Sequence, residues 1–189
     1  MDLYLLIASD LYNKRAMGRE LSDYLRAELE VLLVGINPGL RSAKLQHHFA
    51  GVGNRFWDLL SDSGLTPRRL TYEEDSLLPD FGIGLTNLAA RPTRSSSDLS
   101  ERDFARGRRT LARKIRQFRP PVVAFVGVTA YREFRRLRLR LLPGLQSERL
   151  EEAAVFVLPN PSGRNAHFRY REMLGYYRAL ARHLGRGHA

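Results

Sequence analysis

The chain has no cysteine. Disulfide frameworks, cysteine-ligated zinc and iron–sulfur clusters are therefore excluded. It also lacks a hydrophobic run near the roughly 20 residues that span a bilayer. Residues 1–7 are apolar, but Asp2 interrupts them and Asp10, Lys14 and Arg15 follow closely. That is a poor secretion signal, so a cytoplasmic protein is expected, nucleoid-associated if bacterial. The five histidines, His47, His48, His167, His183 and His188, show no metal-ligand spacing. No metal or other cofactor is expected. A GxxxxGK[ST] phosphate loop is absent, and Gly51-Val52-Gly53 lacks the third glycine of a dinucleotide fingerprint.

Acidic residues are scarce relative to basic ones, 20 against 31, which leaves a net charge of +11. Such a charge favours a polyanionic partner through counterion release. An arginine-rich composition produces the same number, so charge alone does not name the partner. The 189 residues, 43% of them hydrophobic, suit one globular domain. We expect a core over residues 31–184 and an N-terminal helical extension over 1–30, with a first helix at 19–29.

Four apolar runs, at residues 31–36, 83–88, 122–127 and 155–158, read as strands. Helix-like segments lie between them. Short buried runs alternating with helices predict a three-layer α/β/α fold with a short, mainly parallel four-stranded sheet. Asn54 is placed to cap a helix carrying Phe56, Trp57, Leu59 and Leu60. Ser100 is placed to cap the next, with Asp103 three positions in. That helix has an apolar line of Phe104, Leu111, Ile115 and Phe118, and Arg102, Arg106, Arg109, Arg113 and Arg116 lie off that line. Tyr170, Met173, Leu174, Tyr177, Leu180 and Leu184 mark a last helix.

On this frame Asn37, Asn87, Gly127 and Asn160 all fall at the carboxyl edge of the sheet, where open α/β folds bind ligands. Gly35-Ile36-Asn37-Pro38-Gly39 is a stiff turn that presents an amide able both to accept from and to donate to water. It also reads as a plain strand-ending turn. Leu158-Pro159-Asn160-Pro161-Ser162-Gly163-Arg164 is a second stiff loop, suited to enter a duplex as a wedge or simply to connect strand to helix. Phe49, in a glycine-rich stretch, would supply a stacking face worth roughly 1–3 kcal/mol per base, or ordinary core packing. His47 and His48 are expected to be hydrogen-bonded or solvated rather than catalytic.

The order GINPGL, HHFAGVGNRFW, GLTNLAARPT and LPNPSGR resembles the mismatch-specific uracil-DNA and thymine-DNA glycosylase family, within the uracil-DNA glycosylase superfamily. The resemblance runs from about residue 31 to the last helix. It implies a DNA repair enzyme that flips uracil, and thymine or other damaged pyrimidines, out of G·U or G·T mismatches. It would hydrolyse the N-glycosidic bond and leave an abasic site. It implies that Asn37 orients the hydrolytic water with Ser42 nearby, and that Phe49 stacks on the flipped base. Backbone amides near Ile36 and Phe49 would read the pyrimidine edge. Asn87 would join this base-binding set; some members have a lysine there. Asn160, Ser162, Gly163 and Arg164 would enter the minor groove and contact the widowed guanine. Arg164 stands where some members carry an apolar wedge, and Asn160 where efficient uracil-DNA glycosylases carry histidine, which implies slow turnover.

No lysine is placed for covalent chemistry, so a monofunctional enzyme is expected; Lys44 reads as a phosphate contact. A carboxylate would activate water better than an amide. Asp98, in the polar loop leaving the same sheet edge, is the candidate, and it reads equally as a turn residue ahead of Ser100. Arg41, Arg55, Arg91 and Arg94 are candidate phosphate contacts near the site. The basic run 132–140 is either another or a solvated face. The expected partner is mismatched double-stranded DNA, bound by a monomer, with no membrane. Two alternatives stay open: a mismatch or abasic-site binder without catalysis, and a nucleotide- or RNA-binding α/β module.

Overall fold

The computed structural model describes residues 20–138 and 141–186. Four strands are the apolar runs expected: β1 (Val31–Gly35), β2 (Ile83–Asn87), β3 (Val122–Val126) and β5 (Ala153–Leu158). They are mutually parallel, in a sheet of order β2-β1-β3-β5-β4. The helices are α1 (Leu40–Leu45), α2 (Phe56–Asp62), α3 (Glu101–Phe118), α4 (Val128–Arg135) and α5 (Tyr170–His183). A 3₁₀ segment, Tyr72–Phe81, precedes β2, and a shorter one, Ser96–Asp98, precedes α3.

The sheet has five strands, not four. The fifth, β4 (Gly144–Leu150), pairs antiparallel with β5 at the edge. Its sequence, GLQSERL, alternates partly covered and exposed positions. An edge strand has no need of burial on both faces, and Gln146, Ser147, Glu148 and Arg149 stand here in place of the apolar run that marks the buried neighbours. The helix expected at 19–29 is absent over its described part. Tyr24 instead forms an antiparallel bridge to Leu85, with N–H to O distances of 2.9 Å in both directions. Leu21, Tyr24, Leu25 and Leu29 have helical spacing. Pairing with the open edge of β2 satisfies backbone groups there, and that outweighs the spacing. Asp23 reinforces the seam, accepting from Thr86 at 2.6 Å and pairing with Lys114.

Burial on both faces explains why the inner strands read as unbroken apolar runs. Val31, Leu33, Leu85, Ala124 and Leu158 point to one core with Phe56, Leu60, Met173 and Tyr177 from α2 and α5. Leu32, Val34, Val123, Phe125 and Val157 point to the other, with Phe104, Leu111, Ile115 and Tyr131 from α3 and α4. Each fully buried large side chain contributes about 1.5–3 kcal/mol. Ser100 caps α3 as its sequence indicates, in a reciprocal box with Asp103. Asn54 accepts from Phe56 N–H at 3.0 Å at the start of α2. No described helix is long and apolar enough to cross a membrane.

Candidate active site

All four parallel strands end at one edge, and the turns leaving them surround a cleft of about 610 Å³. Asn37, Ile36 and Ser42 reach it from the β1 side, Asn87 from β2, Gly127 from β3, and Asn160, Ser162 and Arg164 from the loop after β5. Phe49 and Asn54 line it from the segment between α1 and α2. The two proline-stiffened turns therefore face one space.

Asn37 is held by its nitrogen. The amide NH₂ donates to the carbonyls of Pro38 at 3.1 Å and Arg91 at 3.0 Å and to the hydroxyl of Thr93 at 2.7 Å. Two of these partners are carbonyl oxygens, which only accept, so the amide orientation is fixed by chemistry. Thr93 in turn donates to the Ser95 carbonyl at 2.7 Å. The Asn37 side-chain oxygen has no partner among the described residues. It is an anchored acceptor on the wall of the cleft.

Phe49 has a left-handed backbone, φ 51°, which costs a non-glycine residue roughly 1–2 kcal/mol. Its neighbours hold it there. His48 N–H donates to the carboxylate of Asp75 at 2.7 Å, and Ala50 N–H donates to the Ser42 hydroxyl at 3.0 Å. The Phe49 N–H between them has no acceptor among the described residues. Asp75 is fully buried, and His47 Nδ1 lies 3.0 Å from its other oxygen. The same carboxylate and partial burial push the Tyr24 hydroxyl up to about 12, burial being the larger cause. His48 donates from Nε2 to the Ser22 carbonyl at 2.8 Å, and burial holds its pKa below the ordinary value. The Phe49 ring stacks on Phe56, centroids 3.8 Å apart and 17° from parallel. Both histidines are thus hydrogen-bonded, as expected of them.

Gly35 makes the floor. A Cβ there would stand 2.5 Å from Asn87 Oδ1 and 3.6 Å from the Phe49 ring. The missing side chain lets the Asn87 amide lie against the strand end, where neither its oxygen nor its nitrogen has a partner among the described residues.

The loop after β5 is bolted to the Phe49 segment. Arg55 N–H donates to the Pro161 carbonyl at 3.0 Å, and a Cβ on Gly163 would meet the Gly53 carbonyl oxygen at 2.7 Å. Asn160 shapes the loop itself, accepting from Ser162 N–H at 3.0 Å through its side chain and from the Asn165 amide at 2.7 Å through its carbonyl. Arg164 reaches across to the Arg94 carbonyl at 3.3 Å.

Two expectations change. Asp98 does not line the cleft; its carboxylate accepts from Ser95 N–H at 3.0 Å and closes the capping box of the 3₁₀ turn, while its carbonyl accepts from Arg91. Gly163 does not line it either, and serves as the contact between loops. Ser42 borders the cleft near Asn37; its hydroxyl oxygen accepts from Ala50 N–H, which braces Phe49, and its O–H remains a donor. Among the proposed phosphate contacts, Arg91 is committed to Asp103, at 2.8 Å, and holds that carboxyl down at about 2. Arg41 donates to the Ala50 carbonyl at 2.8 Å. The Arg94 guanidinium and the Lys44 ammonium have no partner among the described residues. Part of the basic run at 132–140 lies outside the described residues. Sequence reasoning missed Thr93 and Asp75. Thr93 sits in the recognised GLTNLAARPT stretch, but nothing local marks it as the anchor for an amide 56 residues away. Among the described residues, no cluster of three or more His, Asp or Glu is arranged to hold a metal.

Comparison with known proteins agrees with this geometry. The family profile described as Uracil DNA glycosylase superfamily matches residues 22–181. A G/U mismatch-specific uracil DNA glycosylase of Schizosaccharomyces pombe is 36% identical over 162 residues, 81% of this chain and 50% of that protein. The chain thus spans about half the length of this curated relative. The solution structure of a candidate uracil DNA glycosylase from Methanosarcina acetivorans superposes with a TM-score of 0.63 at 21% identity, covering 88% of this chain and 98% of that one. That likeness establishes the fold. The α/β architecture, the converging turns and these matches together assign the chain to the uracil DNA glycosylase superfamily.

Proposed function

We propose that the protein is a monofunctional DNA glycosylase, acting as a single-domain monomer. It takes uracil out of G·U mismatches, and thymine or other damaged pyrimidines more slowly, and leaves an abasic site. The observation that carries this reading is the Asn37 amide. Its nitrogen is spent on three protein acceptors and its oxygen is left over the cleft. Such an oxygen accepts from one water and aims that water's lone pair elsewhere, at the sugar carbon of an extruded nucleotide.

In this reading the target base leaves the stack, at a cost of a few kcal/mol that is least at a mismatch. It slides against Phe49, already backed by Phe56. The free N–H of Phe49 and the Asn87 amide meet its polar edge, with Ile36 beside them. The bond between the base nitrogen and C1′ breaks, and its electron pair goes to the base. Positive charge builds on the sugar, beside the DNA phosphates. Water adds to C1′ and loses a proton, and the released base takes one up. N–H donors fixed before the reaction stabilise the departing anion without reorganising. A neutral amide orients water but does not deprotonate it, so turnover is slow. Asn160 and Ser162 hold the loop that presents Arg164 to the space the base vacates, and Arg94 and Lys44 face phosphates.

The test is alkali-revealed nicking of labelled duplexes carrying G·U, G·T or A·U. Cleavage of G·U above A·U supports the proposal. Binding without an abasic product would show a mismatch binder instead.

A further inference from the structure

Helix α3 carries Arg102, Arg106, Arg109, Arg113 and Arg116, all exposed. Their spacing is 4, 3, 4 and 3 residues. At about 100° per residue they share an arc of roughly 80° and span about 21 Å of helix. The buried residues Phe104, Gly107, Leu111 and Ile115 occupy the opposite side. The arginines therefore form one continuous stripe that faces directly away from the core.

The stripe contains no acid. The two acidic residues of α3 lie in its first turn and are engaged elsewhere, Glu101 by Arg108 and Asp103 by Arg91. Arg116 pairs with Glu151 at 3.4 Å. Arg102, Arg106, Arg109 and Arg113 have no partner among the described residues. Like charges at these spacings repel and destabilise a helix. A solvated face of an arginine-rich chain would be expected to break such a row with glutamates. This row is unbroken, and an external polyanion would relieve the repulsion.

Placement decides which polyanion segment. Because α3 connects the end of β2 to the start of β3, it runs from the cleft edge of the sheet to the opposite edge. The stripe thus leads away from the cleft, where a duplex lying across the turns does not follow. We propose that the outward face of α3 is a second phosphate-backbone site, holding a duplex DNA segment other than the one over the cleft. A protein that touches two segments passes from one to the other without first going free in solution. The site would serve the search for lesions rather than the chemistry. The inference rests on duplex DNA being the ligand of the cleft.

Direct transfer is read from dissociation. The protein is bound to a labelled undamaged duplex and challenged with rising unlabelled undamaged duplex. The expected result is an off-rate that climbs with competitor concentration. The triple variant Arg106→Gln, Arg109→Gln, Arg113→Gln keeps good helix formers. Its off-rate should be flat, and its binding should lose about 2.7 from the slope of log affinity against log salt, about 0.9 for each of three phosphates. The corresponding triple Lys variant should restore both. Single-turnover excision of uracil from G·U should stay within about twofold of wild type, since none of the three reaches the cleft. An off-rate independent of competitor in the wild type, or equal dependence in wild type and Gln variant, would overturn the proposal. Loss of excision by wild type would instead sink the glycosylase reading, which the undamaged-duplex measurement does not use.

Discussion

The hydroxyl of Thr93 accepts from the Asn37 amide nitrogen at 2.7 Å and donates its own hydrogen bond to the Ser95 carbonyl at 2.7 Å. This relay fixes which end of the amide faces the cleft. Thr93→Val keeps the shape and removes the acceptor. One neutral hydrogen bond is worth about 1 kcal/mol, so single-turnover excision should fall about fivefold to tenfold with duplex affinity unchanged. An unaltered rate would mean that the two backbone carbonyls suffice.

Gly35→Ala tests the floor. The new Cβ would meet Asn87 Oδ1 at 2.5 Å. Overpacking of this kind costs about 1–3 kcal/mol. We expect a lower urea midpoint and a larger loss of excision than of DNA binding, because in the proposed function the displaced Asn87 amide is one of the groups that meet the base.

Asp75 is a test at a distance. Asp75→Ala strands the His48 N–H and removes the brace on one side of Phe49. Breaking a buried hydrogen bond to a charged acceptor costs about 1.5–3 kcal/mol. Asp75→Asn retains an acceptor and should recover most of the stability. Denaturant titration of both variants separates the loss of charge from the loss of the bond.

Acid sensitivity should come partly from His48. Burial holds its folded pKa below the unfolded value, which is near 6.5. The unfolded chain therefore binds the proton first. The contribution to stability is complete above about pH 6.5 and is lost progressively as pH falls from there through the folded value. Thermal melts between pH 7 and pH 5 should drop more steeply for wild type than for His48→Gln. Parallel curves would contradict this.

Asp98→Ala should keep excision within about twofold. The carboxylate spends itself on Ser95 N–H at 3.0 Å and does not line the cleft. A rate loss as large as that of an Asn37 variant would return it to the chemistry.

What could be read in advance follows from how local each feature is. The parallel strands are legible because burial on both faces favours short runs that are mostly apolar. β4 is not, because an edge strand tolerates the polar stretch Gln146-Ser147-Glu148-Arg149 at its middle. The segment before β1 carries helical spacing, yet the open edge of β2 claims its backbone through Tyr24. Within the site, Asn37, Phe49 and Asn160 sit in turns whose glycine and proline content announces them. Thr93 and Asp75 act across 56 and 27 residues of chain, and no local pattern encodes a partner so far off. Asp98 shows the converse: the sequence allows either a base or a turn residue beside a ligand-binding edge, and the bond from Ser95 N–H makes it the turn residue.

The most direct trial of the whole account is single-turnover release of uracil from a G·U duplex at saturating enzyme, wild type against Asn37→Ala. An anchored acceptor for the attacking water should be worth a factor of about 100 or more, on the scale of other preorganised polar groups, while affinity for the abasic product stays the same. If the alanine variant excises uracil at the wild-type rate, the water is held by something else and this reading of the cleft is wrong.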